Sequence, residues 1–399
     1  LRYLILIGCC FSQIIFAQRG IRAPVDPLPS EPVYLTEQSI VYSQLSSFGL
    51  SESVTDISSL SGANPALISG YESLKAGLSY QFDLEDELRS NPFVGREFTA
   101  LPQGFTIVSP FKSVVLIAGF NQRVNAKAGP INFSTNPDID PSGTGQIQQY
   151  IRTQTITAAN AGIGFSTNRF AGNEGRWNVG LRLNANYFRL NEEVGEANSR
   201  AESVFPSIHS GVGFEWGPKQ RPVFSISAYT DINPEFTYTL DAELLSGVRT
   251  IDSLGNTQRD IISIERSVEG KMPDRFGVSA LLQPWEQFSI FADVNTLKIS
   301  ETNGPFSSLT DRIDFGIGAI ILPTDYLHLS SGLYNSEFSS EGLETLGAEG
   351  IDRDTFFLSH GIGLAFGKFS GSLAVLYSTN TDFSSRDRFM LKSGIGIEL

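Results

Sequence analysis

Trp177-Asn178-Val179-Gly180-Leu181-Arg182-Leu183-Asn184-Ala185-Asn186-Tyr187 alternates without a break. Trp177, Val179, Leu181, Leu183, Ala185 and Tyr187 fall on one face; Asn178, Gly180, Arg182, Asn184 and Asn186 fall on the other. Side chains of a strand point alternately to its two faces. One face here wants an apolar surround, and the other wants water or polar filling. Ile313, Phe315, Ile317, Ala319 and Ile321 repeat the pattern against Asp314, Gly316 and Gly318. So do Phe389, Leu391, Ile395, Ile397 and Leu399 against Lys392, Gly394, Gly396 and Glu398. A half-buried antiparallel sheet and a membrane barrel both produce such runs.

Counting separates the two. The pattern predicts fourteen strands, from 72–82 to 389–399. Short turns, as at Ser109–Lys112, Gln283–Gln287, Pro323–Tyr326 and Gly367–Lys368, alternate with long loops, as at 83–102, 125–148, 191–203, 241–271 and 339–353. A transmembrane barrel has short turns on one side and long loops on the other, whereas a soluble sandwich has no reason to obey that rule. Most of the runs also reach the ~9–11 residues that cross an outer membrane at a tilt. Prolines after residue 65 fall in turns and loops, where no ladder hydrogen bond is lost; Pro206, Pro234 and Pro273 are exceptions toward the loop-side ends of strands.

Composition agrees. The 399 residues carry 29 Lys and Arg against 43 Asp and Glu, a net charge of −14, which argues against a nucleic-acid partner. Aromatics make up 11% and charged residues only 18%, as expected where many strands alternate apolar and polar positions. Beyond the N-terminal segment, the longest apolar run, Val114 to Phe120, is too short for a membrane helix.

The N-terminus reads as a secretory signal over 1–17: Arg2, an apolar stretch, then Ala17 at a cleavage point. Leu6-Ile7-Gly8-Cys9 imitates a lipoprotein box, but Cys9 comes too early in the signal. Cleavage after Ala17 removes Cys9 and Cys10, the only two cysteines, and leaves neither a disulfide framework nor a Cys-based metal site. Residues 18–32, with Pro24, Pro27, Pro29 and Pro32, form an extended arm. Residues 33–70 are committed to no strand.

Five Gly-x-Gly motifs recur: Gly162-Ile163-Gly164, Gly211-Val212-Gly213, Gly316-Ile317-Gly318, Gly361-Ile362-Gly363 and Gly394-Ile395-Gly396. Each sits near the turn-side end of its run, with the central residue on the apolar face and the glycines inward. A dinucleotide site would need a strand-turn-helix context that this chain never offers. Two readings stay open. Inward glycine eases curvature and close packing in a barrel. Alternatively, the missing side chains leave room for a plug, which only residues 33–70 could supply.

Those residues carry a resemblance. Thr36-Glu37-Gln38-Ser39, Ser47-Phe48-Gly49, Ser53-Val54-Thr55-Asp56 and Asn64-Pro65-Ala66, followed at once by the first strand, resemble the FadL-type outer-membrane transporters. Met272-Pro273-Asp274-Arg275-Phe276-Gly277-Val278, leading to Trp285 and then Phe291-Ala292-Asp293-Val294, is similar to that family's hairpin after its longest outer loop. The chain departs from the family in ending on Leu399 rather than Phe. The resemblance implies an all-β, fourteen-stranded antiparallel transmembrane β-barrel over 71–399, with a small N-terminal hatch over 33–70 plugging the lumen. It also implies location in the bacterial outer membrane and diffusive uptake of hydrophobic molecules, such as long-chain fatty acids or hydrocarbons, with outer-membrane lipid as the surround. Cargo would pass from an outer groove to a lumen site and leave sideways through the wall. The alternative is a barrel of the same fold that serves a secretion system as an interaction or shuttle partner.

Candidate residues follow. Asn64, Pro65 and Ala66 mark the hatch end. Lys75, Arg123, Arg152, Arg182 and Arg275 are inward cations by register. They could meet a carboxylate head, Arg182 first because it lies midway along its strand, or they could balance inward Glu215, Asp293 and Asp314. Leu240, Leu244, Leu245 and Val248 could give first contact in the outer loop or simply pack it. Enzyme chemistry is not expected: Ser207 and His209 share a face, but no acid partner is placed with them. No cofactor is expected, and no His or carboxylate cluster suggests a metal.

Overall fold

The computed structural model describes residues 45–46, 49–50, 57–58, 60–85, 97–134, 147–167, 175–194, 197–217, 222–251, 257–298, 311–324, 326–338, 353–380 and 388–399. The signal, the proline arm and, apart from 45–46 and 49–50, residues 33–56 of the expected hatch lie outside these residues. The barrel strands are β1 (Lys75–Glu85), β2 (Glu97–Phe111), β3 (Val114–Ser134), β4 (Ile147–Ser166), β5 (Gly175–Val194) and β6 (Ala197–Trp216). Two interrupted strands follow. In β7, Phe224–Ile232 continues as Glu235–Ile251; in β8, Thr257–Lys271 continues as Asp274–Trp285. Then come β9 (Phe288–Lys298), β10 (Arg312–Thr324), β11 (Leu327–Phe338), β12 (Arg353–Phe366), β13 (Phe369–Asn380) and β14 (Arg388–Glu398). Each strand pairs antiparallel with its sequence neighbour, and β14 pairs with β1, so the fourteen-strand sheet closes on itself. Pro234 and Pro273 cause the interruptions. Proline brings no N–H to a ladder, yet the β7–β8 register runs on unchanged across the gap. Pro206 sits inside β6, paired with Ala185.

The outward face is apolar over a limited height. On β5, Trp177, Val179, Leu181, Leu183 and Tyr187 are exposed, while Asn178, Arg182, Asn184 and Asn186 are buried. Ten residues at ~3.3 Å, tilted by ~40°, span ~25 Å, the height of the apolar band of a membrane barrel. Exposed Phe111, Trp177, Trp216, Trp285, Tyr326, Phe366 and Phe369 cluster at the turn-side ends. They form the aromatic girdle of a membrane interface. Exposed apolar side chains in this number are a liability in water and are satisfied by lipid. The central residues of the Gly-x-Gly motifs, Ile163, Val212, Ile317, Ile362 and Ile395, belong to this band. His360 lies on the same outward face as Leu358 and Ile362, and its ladders to β11 and β13 are unbroken.

Three segments expected to be loops are strand wherever they are described. Residues 125–134 with 147–148, 191–194 with 197–203, and 241–251 with 257–271 extend β3–β4, β5–β6 and β7–β8 beyond the apolar band. Their polarity explains the misreading. Below Ile232, β7 buries Ser225, Ser227 and Asp231; above Pro234 it buries Phe236 and Tyr238 and exposes Glu235, Thr237 and Thr239. Once a strand leaves the membrane its outer face meets water, so the two faces exchange character.

Among the described residues the wall is unzipped between β2 and β3, within the height of the apolar band. The β2–β3 ladder runs from Phe111↔Val114 to Gly104↔Asn121 and stops. Beyond it, Glu97–Pro102 pair only with β1, and β3 continues paired only with β4. Both strands are irregular at the stop, with Gln103 skipped in the β1–β2 register and Arg123 in the β3–β4 register.

Candidate functional site

The lumen is layered on the side lined by β1–β8. Lowest, nearest the turns, lies 57–70. Asn64 caps the 3-10 helix Pro65–Gly70: its Oδ1 accepts from the Ala66 amide at 3.0 Å, and its Nδ2 donates to Ser227 Oγ at 3.0 Å. Proline suits the first position of that turn, where its missing N–H has no partner to lose. Ile57, Leu60 and Ile68 pack on Val108, Val115 and Ile117 of β2 and β3. Ser61 donates through its amide to Thr106 Oγ1 at 3.1 Å and through its hydroxyl to the Phe120 carbonyl at 3.0 Å. Inward glycines make the approach possible. A Cβ on Gly164 would lie 2.6 Å from the Ser69 nitrogen, and one on Gly180 would fall on the Pro65 carbonyl. Gly162 and Gly318 face strand neighbours instead. The short strand Gly49–Leu50 lies near β10–β12.

Asn64→Ala removes both a cap and the Ser227 bond. The opening free energy of 65–70 is expected to fall by about 2 kcal/mol. Native-state hydrogen exchange at Ala66–Ser69 reads that change.

Above this segment runs a polar belt at mid-band height. Arg182, His209, Asp231 and Arg275 are successive cross-strand partners on β5, β6, β7 and β8, so the register itself builds the row. All four are buried. Arg182 donates from Nη1 to the Leu60 carbonyl at 3.0 Å and contacts His209 Nδ1 through Nη2. Arg275 lies over the Tyr229 ring, 4.8 Å from its centroid, a cation–π geometry. Arg123 reaches the belt from β3. It pairs with Asp231 and donates to Asn186 Oδ1 at 2.8 Å, Ser207 Oγ at 2.9 Å and Asn233 Oδ1 at 3.2 Å. Ser207 Oγ also accepts from Asn184 and Asn186, both at 3.0 Å, so its partners are amides and a guanidinium, while His209 is turned to Arg182.

Over the belt, on the loop side, lies an apolar cluster. It comprises Ile156, Phe188, Leu190, Ala201, Phe205, Phe236, Tyr238 and Met272, with Leu240 and Val268 at its edge. Phe205 and Phe236 stack at 4.1 Å and 8°, and Phe188 meets Phe236 and Tyr238 at 5.6 and 5.2 Å. Asn186 ties the layers together by donating to the Phe205 carbonyl at 3.1 Å.

The expected cations separate. Arg182 and Arg275 join the belt. Lys75 sits at the turn-side rim, 3.3 Å from Glu398. Glu215, expected to balance inward cations, pairs with Arg176. Asp293 and Asp314 are buried on β9 and β10, beside the belt strands. Leu240 touches the apolar cluster, whereas the side chains of Leu244, Leu245, Val248 and Arg152 lie outside the described residues. Sequence reading missed the aromatic cluster and the roles of Asp231, Asn186 and Asn233. Pro234 was the signal for the cluster: the β6–β7 register slips by one residue across it, so the apolar positions that look outward at Ile226 and Ile232 turn inward at Phe236 and Tyr238. Among the described residues no group of three or more His, Cys, Asp or Glu could hold a metal ion.

No protein-family model matches the sequence, and no curated protein sequence does. Solved structures match its fold. The deltaS2S3 mutant of the TodX monoaromatic hydrocarbon channel superposes with a TM-score of 0.59 at 11% identity, over 88% of this chain and 97% of that one. The Pseudomonas putida toluene transporter TodX gives 0.54 at 12%, over 90% and 96%. A Pseudomonas aeruginosa FadL homologue gives 0.54 at 8%, over 95% and 100%.

Proposed function

From the premise that this chain has the FadL-type fold, we propose that it is an outer-membrane channel for hydrophobic molecules, such as hydrocarbons or long-chain fatty acids. The observation that carries this reading is the aromatic-rich cluster inside the barrel. Water-filled porins line their lumen with polar side chains, while an apolar wall with a few convergent polar groups suits an apolar or amphiphilic ligand. Burying each methylene there is worth ~0.8 kcal/mol. Cargo enters between the extended strands and rests on Phe188, Phe205, Phe236 and Tyr238. A carboxylate head, where present, meets Arg182 or Arg275 in the belt.

Residues 57–70 act as the hatch, with Asn64, Pro65 and Ala66 at its fixed end. Hatch and belt obstruct the straight path to the turn side along β1–β8, which favours sideways release. The unzipped β2–β3 seam is the exit, because a side route need only carry cargo past the polar headgroups into hydrocarbon. The same aromatic lumen supports reading the chain as a channel and not an enzyme.

The test is uptake of labelled toluene and oleate by cells that express the barrel, with mass spectrometry of lipid carried through purification. Uptake above that of vector-only cells, with bound apolar ligand in the purified protein, is the expected result. Folded barrel with neither ligand nor uptake would overturn the proposal.

A further inference from the structure

Arg123 occupies a position that the transport reading alone does not explain. It is the residue skipped when β3 passes from Gln122↔Thr157 to Val124↔Ile156. It comes two residues after the last β2–β3 pair, Gly104↔Asn121. Asn121, Gln122 and Arg123 are all buried, as happens when an inserted residue turns a strand toward the interior. The side chain ignores its neighbour β4 and binds β5 through Asn186, β6 through Ser207 and β7 through Asn233 and Asp231. Four inter-strand steps of ~4.8 Å put β3 and β7 ~19 Å apart along the wall. An arginine and an aspartate meet across that span only where the wall folds inward.

We propose that Arg123 is a positioning residue: anchored to Asp231 across the lumen, it draws β3 inward and holds it apart from β2 at the seam. The inference rests on the channel reading for its purpose and on geometry alone for its substance. Buried charge makes the anchor strong. Asp231 takes one end of the guanidinium through Nη2, and three amide or hydroxyl oxygens surround Nη1, so the head of the side chain is held from β5, β6 and β7 at once. On the facing edge, Pro102 brings no N–H and Gln103 is skipped, so the anchor works against a ladder that is weakened at its first steps but free to form above them. Without the anchor, β3 regains the ladder it forms lower down, because the Gly104↔Asn121 register extends directly to 99 opposite 126. Arg275, the register partner of Asp231, remains beside the carboxylate when Arg123 is removed, so the charge is not abandoned.

Cross-linking reads the seam without reference to transport. In a full chain with Cys9 and Cys10 changed to Ser, Thr99→Cys and Ala126→Cys form a disulfide only if the two strands come together. With Arg123 present, oxidation is expected to leave the pair unlinked. With Arg123→Ala, most of the folded barrel is expected to link, and with Asp231→Asn a smaller fraction. Arg123→Lys, which can keep the ion pair, is expected to return the pair largely to the unlinked state. Heat-modifiable gel migration identifies folded barrel in each variant, and Asp231→Asn carries the test if Arg123→Ala does not fold. Linking with Arg123 in place, or folded Ala and Asn variants that both stay unlinked, overturns the proposal. Linking in Arg123→Ala with uptake unchanged supports the strut and instead removes the seam as the exit.

Discussion

Gly180→Leu is expected to make the barrel leak. Even a Cβ at this position would occupy the Pro65 carbonyl and lie 2.8 Å from the Ala66 nitrogen, and a leucine adds three more carbons. Neither side yields easily. Gly180 is in β5, paired with Gly164 and Gly211 on its two neighbours, and Pro65–Gly70 is fixed by the Asn64 cap. Overpacking a close contact costs about 2 kcal/mol, and the strand ladders hold the barrel far more firmly than a few side-chain bonds hold 57–70. The segment therefore leaves and the barrel stays. In planar bilayers, parent protein is expected to be nearly silent and Gly180→Leu to show steady conductance; in cells, bulky hydrophilic antibiotics should become effective at several-fold lower dose. Gly371→Ala, on β13 with only the Gly394 carbonyl at 4.0 Å from the added carbon, is the control for handling and expression. Unchanged conductance in folded Gly180→Leu would mean that 57–70 does not obstruct the lumen.

The barrel was legible because lipid imposes a simple rule on one face. Trp177 through Tyr187 has to keep its outward residues apolar whatever lies inside, so a strand count follows from alternation alone. The upper strands were not legible because that rule ends with the membrane. Phe236, Tyr238 and Leu240 alternate just as regularly, but inward, and beside exposed Glu235, Thr237 and Thr239 they resemble a mixed loop. Arg182 could be placed because its strand carries no bulge. Arg123 was read as an inward cation, but not as the residue that opens a seam, since a bulge is a relation between two strands and leaves little trace in either one. The link from Arg182 to Leu60 needed the chain folded, as 122 residues separate the two. The same holds for Asp231, whose partner Arg123 is 108 residues away.

Phe236→Ala separates a binding surface from mere packing. Its ring stacks on Phe205 and touches Phe188 and Tyr238, so its loss opens a cavity in the middle of the cluster. Truncating a buried Phe costs about 4 kcal/mol when nothing refills the space. A barrel closed by fourteen ladders tolerates that, and folded protein is expected at near-normal yield. The effect on cargo depends on what the cluster does. If Phe205, Phe236 and Phe188 form the wall on which an apolar molecule rests, uptake of toluene and oleate should fall by tenfold or more, since a ring's worth of contact is lost at a site with few other apolar surfaces. Phe236→Leu, which keeps much of the volume but not the flat face, should then sit between Ala and parent, and should hurt an aromatic cargo more than an aliphatic one. If the cluster only fills the barrel, the cavity left by Ala is new room: uptake stays level or rises, and Leu is indistinguishable from Phe. The lumen directly beneath argues for the first outcome. Asn186 and Ser207 are committed to Arg123, and Arg182 to Leu60 and His209, so the belt offers an entering molecule little apolar surface of its own. An apolar cargo that comes from the loop side meets the aromatic layer before it meets the belt.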